Sequence, residues 1–280
     1  MKSVATNWAE EVESIGTLPA LYHELNAALN DPRSSLDRFG EIIETDAGLA
    51  TRLLRIANSP FYGFPTRIET ISEALTLIGM QQIRDLIAVT FAIEHFHQIP
   101  ATLFDLELFW QHSLACGISA RVLAVYRRDA NPERFFLAGL LHDIGRLVMC
   151  LRVPEQLPVV FARRAETDRT LTEAETEVLG VNHAEIGSVL LERWLFAPAV
   201  VDTVRWHHAP HAAARYPLEA SMIHVADILA HSLELGFSGE PLPPTLEMDA
   251  WNRLNLGPAS LRTVVKEVDR QFDDALSLFI

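Results

Sequence analysis

The chain has 280 residues, 49% of them hydrophobic, which is enough for a sizeable core in one large domain or two modest ones. Its formal net charge of -14 repels the phosphate backbone of nucleic acid, so no direct nucleic-acid binding is expected. No uninterrupted run of eighteen apolar residues occurs, and residues 1–16 lack the basic start and apolar core of a secretory signal. These features predict a cytoplasmic protein without a membrane span.

The first hundred residues show helical periodicity. Asp46 is predicted to cap one helix, and Thr70 with Glu73 forms the T-x-x-E pattern of a capping box that opens another. Ile99-Pro100 is the predicted boundary between this lobe and the next. The predicted helices are Leu18 to Asn30, Leu36 to Thr45, one after Asp46 that stops at Ala57 to Pro60, Ile71 to Ile78, and Met80 to about Phe96.

An aromatic loop lies between two of these helices, in the segment Pro60 to Glu69. Phe61, Tyr62 and Phe64 are expected to be exposed there. The loop either binds a partner or pins one lobe to the other, and the second role is the more common one for such loops.

The second lobe is also predicted to be helical. Thr172 with Glu175 and Asn182 with Glu185 are interpreted as capping boxes. Residues 236–257, which contain Gly239 and three prolines, are predicted to form a loop that leads to a final amphipathic helix. The predicted helices are Leu103 to Tyr126, Pro132 to Leu141, Gly145 to Leu151, Pro154 to Glu166, a short one that ends at Gly180, His183 to Leu195, Pro198 to about His208, and Leu218 to Leu235.

Cys116 and Cys150 lie far apart in apolar surroundings and lack the C-x-x-C spacing of a zinc knuckle. They are therefore predicted to be buried free thiols, which agrees with a reducing compartment.

The stretch Phe135 to Arg146, FFLAGLLHDIGR, places His142 and Asp143 directly after an apolar helical run. A buried charge is costly unless it is paired or bound to a metal, and an imidazole beside a carboxylate is a natural pair of metal ligands. A lone buried histidine is more often a hydrogen-bonded core or capping residue than a ligand. The ordered combination in this lobe favours a metal site, and its members are His112, His142, Asp143, His183, His207, His208 and Asp227.

The spacing within that set adds two details. His207 and His208 are adjacent, so on a helix they would point about 100 degrees apart and could contact two neighbouring ions. Asp227 has His224 at i-3 and His231 at i+4 on the same helical face, where imidazoles could act as outer partners of the carboxylate. Imidazole and carboxylate ligands suit Fe, Mn, Ni, Co or Zn, as one ion or two.

This ordered H…HD…H…HH…D pattern resembles the HD superfamily of metal-dependent phosphohydrolases. With the first lobe included, the chain resembles more closely the HDOD family, the HD-related output domain of bacterial signalling proteins. The stretches that carry this resemblance are LATRLLRIANSPFYGFPTRIETISEALTLIGMQQIRDL, FFLAGLLHDIGRLVM, HAEIGSVLLERWLFAP and WHH, within about Ile15 to His231.

The resemblance implies an all-α, two-lobed helical fold whose second lobe is an HD-like helical bundle. It divides the chain into an N-terminal extension (1–14), the HDOD domain (15–235, with lobes 15–100 and 101–235) and a C-terminal loop and helix (236–280). It also implies that Asp143 bridges two divalent ions, with His112, His142 and Asp227 completing one shell and His183, His207 and His208 the other.

The resemblance leaves two functions open. The first is a regulatory module in signal transduction that binds a signalling protein or a small nucleotide ligand. The second is a metal-dependent phosphohydrolase acting on a nucleotide or cyclic dinucleotide, with Asp143 and Arg146 in catalytic roles. Arg146 would then clamp a phosphate, although it could equally cap a helix or pair with an acid. The chain has HDIGR where the related HD-GYP phosphodiesterases have HDIGK, and it lacks a clear GYP segment. A helical scaffold with purely structural histidines is the third alternative.

Overall fold

The structure is a computed structural model that describes residues 8, 18–59, 61–166 and 169–279, in which every regular element is a helix. The predicted extension 1–14 lies outside the described residues apart from Trp8, and so does Pro60. Within the described part of the chain, no helix is long and apolar enough to cross a membrane. Cys116 and Cys150 are buried free thiols, as predicted.

The chain divides into two compact units. Of the described residues, those within 18–95 and 270–279 form the first unit, and Trp8 and those within 96–269 form the second. The helices of residues 18–96 are α1 (Ala20–Asn30), α2 (Leu36–Glu44), α3 (Ala47–Ala57), α4 (Ile71–Ile78) and α5 (Met80–Phe96).

Side-chain caps fix the starts of α3 and α4 in the first unit. Asp46 accepts a hydrogen bond from Leu49 N, and Thr70 and Glu73 form the predicted capping box. After α3, the Asn58 side chain accepts from Ile68 N and donates to Ile68 O, both at 2.8 Å, so the aromatic loop is held against the end of that helix.

The prediction that the loop aromatics are exposed was wrong for Phe61, which is only 3% exposed. Its ring packs edge-on against Tyr62, whose ring stacks on Phe64 at a centroid distance of 5.8 Å. Tyr62 and Phe64 are half-buried. The loop therefore contributes to the core of its own unit, because a buried phenyl ring stabilises a segment that has no regular hydrogen bonding.

The second unit contains the remaining helices. They are α6 (Leu106–Arg127), α7 (Glu133–Leu141), α8 (Ile144–Arg152), α9 (Leu157–Glu166), α10 (Leu171–Leu179), α11 (His183–Arg193), α12 (Pro198–Trp206), α13 (Pro217–Ser232), α14 (Met248–Leu254) and the part of α15 (Pro258–Phe279) up to Asp269. A 3-10 turn, Pro210–Ala212, lies between α12 and α13. Helix α14 lies inside the segment that was predicted to be a loop, so that prediction was wrong for residues 248–254.

Two glycine contacts bring the helices of this unit unusually close together. A Cβ at Gly139 on α7 would lie 2.7 Å from Gly117 Cα on α6, and a Cβ at Gly145 on α8 would lie 2.0 Å from the carbonyl oxygen of His183 on α11. Such distances are possible only without a side chain at the crossing. The first contact packs α7 against α6, and the second packs the start of α8 against the start of α11.

Candidate metal centre

All seven predicted ligands lie at helix ends or on inner helix faces of the second unit. They are His112 on α6, His142 at the end of α7, Asp143 directly before α8, His183 at the start of α11, His207 and His208 directly after α12, and Asp227 on α13. Six of them are no more than 2% exposed, and His208 is half-buried. The folded chain therefore brings these side chains together in one interior.

Asp143 lies at the middle of the cluster, and its two carboxylate oxygens face different imidazoles. Oδ1 lies 3.0 Å from His183 Nε2 and 3.7 Å from His207 Nε2. Oδ2 lies 3.5 Å from His142 Nε2. His208 lies on the same side as His183, which faces Oδ1, since its Nε2 is 2.9 Å from His183 Nε2. A carboxylate with one oxygen toward each of two imidazole groups is suited to bridge two ions.

Asp227 lies near His142, on the side of the cluster that faces Asp143 Oδ2. Its Oδ1 lies 3.0 Å from His112 Nε2 and 3.6 Å from His142 Nε2. His231, four residues further along α13, places its Nε2 3.4 Å from the same oxygen. His224 on this helix points elsewhere: its Nδ1–H donates to the His207 carbonyl, and its Nε2 accepts from the backbone N–H of Glu247.

Three of the imidazoles are oriented by hydrogen bonds at Nδ1. His142 Nδ1–H donates to Gly139 O at 2.6 Å, and His207 Nδ1–H donates to Val204 O at 2.7 Å. His183 Nδ1–H donates to the Glu175 carboxylate at 2.7 Å. Because these acceptors hold a proton on Nδ1, Nε2 of each ring faces the centre, and in the neutral form of the ring its lone pair is available to a metal.

Glu175 was missed as a site residue because it was interpreted as part of a capping box with Thr172, and that interpretation was wrong. The box is formed by Thr170 and Glu173, two residues earlier. Glu175 is instead buried, and it accepts from both the backbone N–H and the ring Nδ1–H of His183. The overlapping sequence T-L-T-E-A-E fits the capping pattern in two registers, so the sequence alone does not separate them.

Glu175→Gln is expected to weaken binding of a divalent cation by about 10- to 100-fold, because the carboxylate orients His183 and raises its basicity. Titration calorimetry with Zn²⁺ or Mn²⁺ would measure the change. Glu177→Gln on the same helix is the matched control, since Glu177 forms ion pairs with Arg163 and Arg169 at the surface. Equal affinities in the two variants would contradict the role of Glu175.

The buried carboxylates set the charge of the centre. Burial raises the pKa of Asp143, but the charges of Arg146 and His142 outweigh it and hold that pKa well below its usual value. Burial likewise raises the pKa of Asp227, but the hydrogen bond with His112 and the nearby charge of His142 outweigh it and hold that pKa well below its usual value. Burial lowers the pKa of His142, but Asp143 reverses this and the pKa stands well above its usual value. A divalent cation would replace protons that otherwise balance these acids.

Three further imidazoles, those of His207, His208 and His231, favour the neutral form. Burial, aided by the charge of His142, lowers the pKa of His207 to about 3. Burial and the charge of His207 hold the pKa of His208 well below its usual value. Burial lowers the pKa of His231 to about 4. Neutral rings of this kind can bind a metal without first losing a proton.

The spacing of the side chains fits a divalent metal. Nitrogen and oxygen ligands lie about 2.0 to 2.2 Å from zinc, so two ligands on one such ion are about 3 to 3.6 Å apart, close to the separations given above. Among the described residues, His142 Nε2, His207 Nε2 and Asp143 Oδ1 have no hydrogen-bond partner. Buried polar atoms without partners are rare in native proteins, and an ion would satisfy all three.

Arg146 lies beside the cluster and is 5% exposed. Its Nε is 3.0 Å from Asp143 Oδ2, and its Nη1–H donates to the Ser238 carbonyl at 2.7 Å. Ser238 belongs to the segment after α13, in which Phe237 N donates to Leu108 O on α6. The guanidinium is therefore engaged by one acid and one backbone carbonyl.

The family comparison agrees with the fold. The HDOD domain family matches residues 15–210, which is more than half of the chain. The chain belongs to the HDOD family. Its fold is accordingly the two-lobed, all-α HDOD fold, with an HD-like helical bundle as the second lobe.

Relatives of this HDOD chain cover it almost completely. A solved structure from Shewanella amazonensis, named "Putative phosphohydrolase", is 25% identical with a TM-score of 0.76 and covers 99% of both chains. An HDOD domain protein from Geobacter sulfurreducens is 24% identical with a TM-score of 0.70, and the match covers 95% of this chain and 97% of that one. A Treponema pallidum (strain Nichols) protein is 28% identical over 245 residues, and the match covers 87% of this chain but 47% of the relative. The chain thus spans about half the length of that relative.

Proposed function

We propose that this chain is a regulatory HDOD module whose second unit holds two divalent cations. The ion-binding residues would be divided as the family pattern implies. Asp143 bridges the ions, His112, His142 and Asp227 complete one shell, and His183, His207 and His208 complete the other. The two-sided arrangement around Asp143 supports this division, since each carboxylate oxygen faces a different set of imidazoles.

The closure of the centre favours regulation over catalysis. Structural metal sites are closed, whereas catalytic sites keep a coordination position open to substrate. Here the acids and four of the imidazoles are 2% exposed or less. Arg146 would be the residue to hold a phosphate. Its guanidinium, however, already forms an ion pair with Asp143 and a hydrogen bond to the Ser238 carbonyl. A signalling protein or a small nucleotide ligand would provide the input to such a module.

A metal-dependent phosphohydrolase is the second candidate, and one observation favours it. His208 is half-buried and the His231 side chain is 9% exposed, so the cluster approaches the surface at these two residues. The name of the Shewanella amazonensis relative points the same way. Two divalent ions in such a site would activate water and neutralise charge on a phosphate ester.

A hydrolysis assay separates the two candidates. The purified chain is loaded with Mn²⁺ or Fe²⁺, its metal content is measured, and bis-p-nitrophenyl phosphate and a cyclic dinucleotide are offered as substrates. Asp143→Asn serves as the matched control. The regulatory proposal expects bound metal in the wild-type chain and no hydrolysis above that of the variant. A wild-type rate more than about tenfold above the variant would overturn it in favour of the phosphohydrolase.

A further inference from the structure

We infer that His231, which lies outside the H…HD…H…HH…D pattern, is a direct ligand of the ion held by His112 and Asp227. The inference rests on the proposed metal centre and adds a residue to it. The ligand atoms of these three residues lie within 4.8 Å of one another. His231 and Asp227 are four residues apart on α13, which places both side chains on one face of the helix.

The nitrogen positions support the role of a ligand. An outer imidazole would instead support a bound carboxylate through a hydrogen bond. Here the Nε2 atoms of His231 and His112 both converge on Oδ1 of Asp227, at 3.4 and 3.0 Å. Their rings lie 4.4 Å apart between centroids. Two imidazole nitrogens around one carboxylate oxygen, at the spacing of neighbouring ligands, leave a position for an ion beside all three atoms.

His224 on the same helix provides an internal comparison. Both of its ring nitrogens are engaged, one by the His207 carbonyl and the other by the Glu247 backbone N–H. It therefore has no lone pair to offer an ion. His231, in contrast, directs its Nε2 to the carboxylate oxygen at the centre.

His231 is more exposed to solvent than the other two proposed ligands of this ion. Its side chain is 9% exposed, whereas those of His112 and Asp227 are 0% and 2% exposed. His231 therefore lies on the solvent side of this ion. A ligand at that place fills the coordination position that a water molecule or a phosphate oxygen would otherwise take, which keeps the centre closed.

Cobalt spectroscopy tests the inference without any enzyme assay. Co²⁺ is titrated into the wild-type chain, His231→Ala and His231→Gln, and the visible absorption spectrum and the dissociation constant are recorded. Both variants are expected to bind at least about tenfold more weakly and to show a changed spectrum. Added imidazole should restore the wild-type spectrum in His231→Ala, because it can fill the vacated position. His211→Gln is the control, since His211 is 68% exposed and its ring pairs with Glu247 at the surface.

The possible results separate this inference from the metal centre itself. If the wild-type chain binds Co²⁺ and the His231 variants keep its spectrum, His231 is no ligand although the metal centre stands. Weaker binding with an unchanged spectrum, or without rescue by imidazole, would make His231 a positioning residue and would also overturn the inference. No Co²⁺ binding by the wild-type chain would overturn both. Circular dichroism establishes that each variant is folded, and His231→Gln decides the matter if His231→Ala does not fold.

Discussion

Asp143→Asn is expected to lose divalent metal binding by more than about 100-fold while the chain stays helical. The substitution removes the negative charge that faces imidazoles on both sides, and the loss should exceed the 10- to 100-fold effect of removing an outer partner. Asparagine keeps an oxygen that can accept from Arg146, so no buried guanidinium is left without a partner. Metal content after dialysis and circular dichroism would measure the two effects.

Asp249→Asn is the matched control for this experiment, because Asp249 is an exposed acid on α14 of the same unit. The control should bind metal as the wild-type chain does. Full metal content in Asp143→Asn would refute the assignment of the centre. Loss of metal in both variants would instead indicate that removing any one negative charge from this unit weakens metal binding.

Gly145→Ala is expected to lower the free energy of unfolding by about 3 kcal/mol or more. The added methyl group would lie 2.0 Å from the His183 carbonyl oxygen and 2.7 Å from Gly187 N, both of which are backbone atoms that no side-chain rotation can move away. Helices α8 and α11 must then separate. Since Asp143 and His183 lie at the starts of these helices, metal binding should fall as well.

Urea denaturation of the metal-free chain would measure this change. Gly257→Ala is the control, because a Cβ at Gly257 has no neighbour within 4 Å, and it should change the stability by no more than about 0.5 kcal/mol. Similar stabilities for the two variants would show that α8 and α11 can move apart at little cost.

Helix positions could largely be predicted from the sequence, because periodicity and capping residues act locally. The capping boxes at Thr70 and Asn182 are present as predicted. The helix predicted from Leu103 begins later, at Leu106, because Asp105 accepts a hydrogen bond from Leu108 N and so caps it. Helix α14 was not predicted, because segment 236–257 was interpreted as one loop. Its helix-breaking glycines and prolines lie mostly before residue 245, and they carry no information about Met248–Leu254.

The candidate site was only partly predictable. The order of histidines and acids along the chain identified side chains that the fold brings together, because that order belongs to a family. Glu175, by contrast, acts through a buried contact between α10 and α11 that no local pattern encodes. His224 and His231 looked equivalent beside Asp227, and only the position of the Glu247 backbone and the His207 carbonyl distinguishes them.

The link from Asp143 through Arg146 to the Ser238 carbonyl connects a buried acid of the cluster with the segment that follows α13. This segment exposes Phe237 and Leu242, which are 43% and 62% exposed. The guanidinium holds the backbone immediately beside Phe237. One buried side chain therefore connects an interior acid with a stretch of backbone that carries an exposed apolar ring.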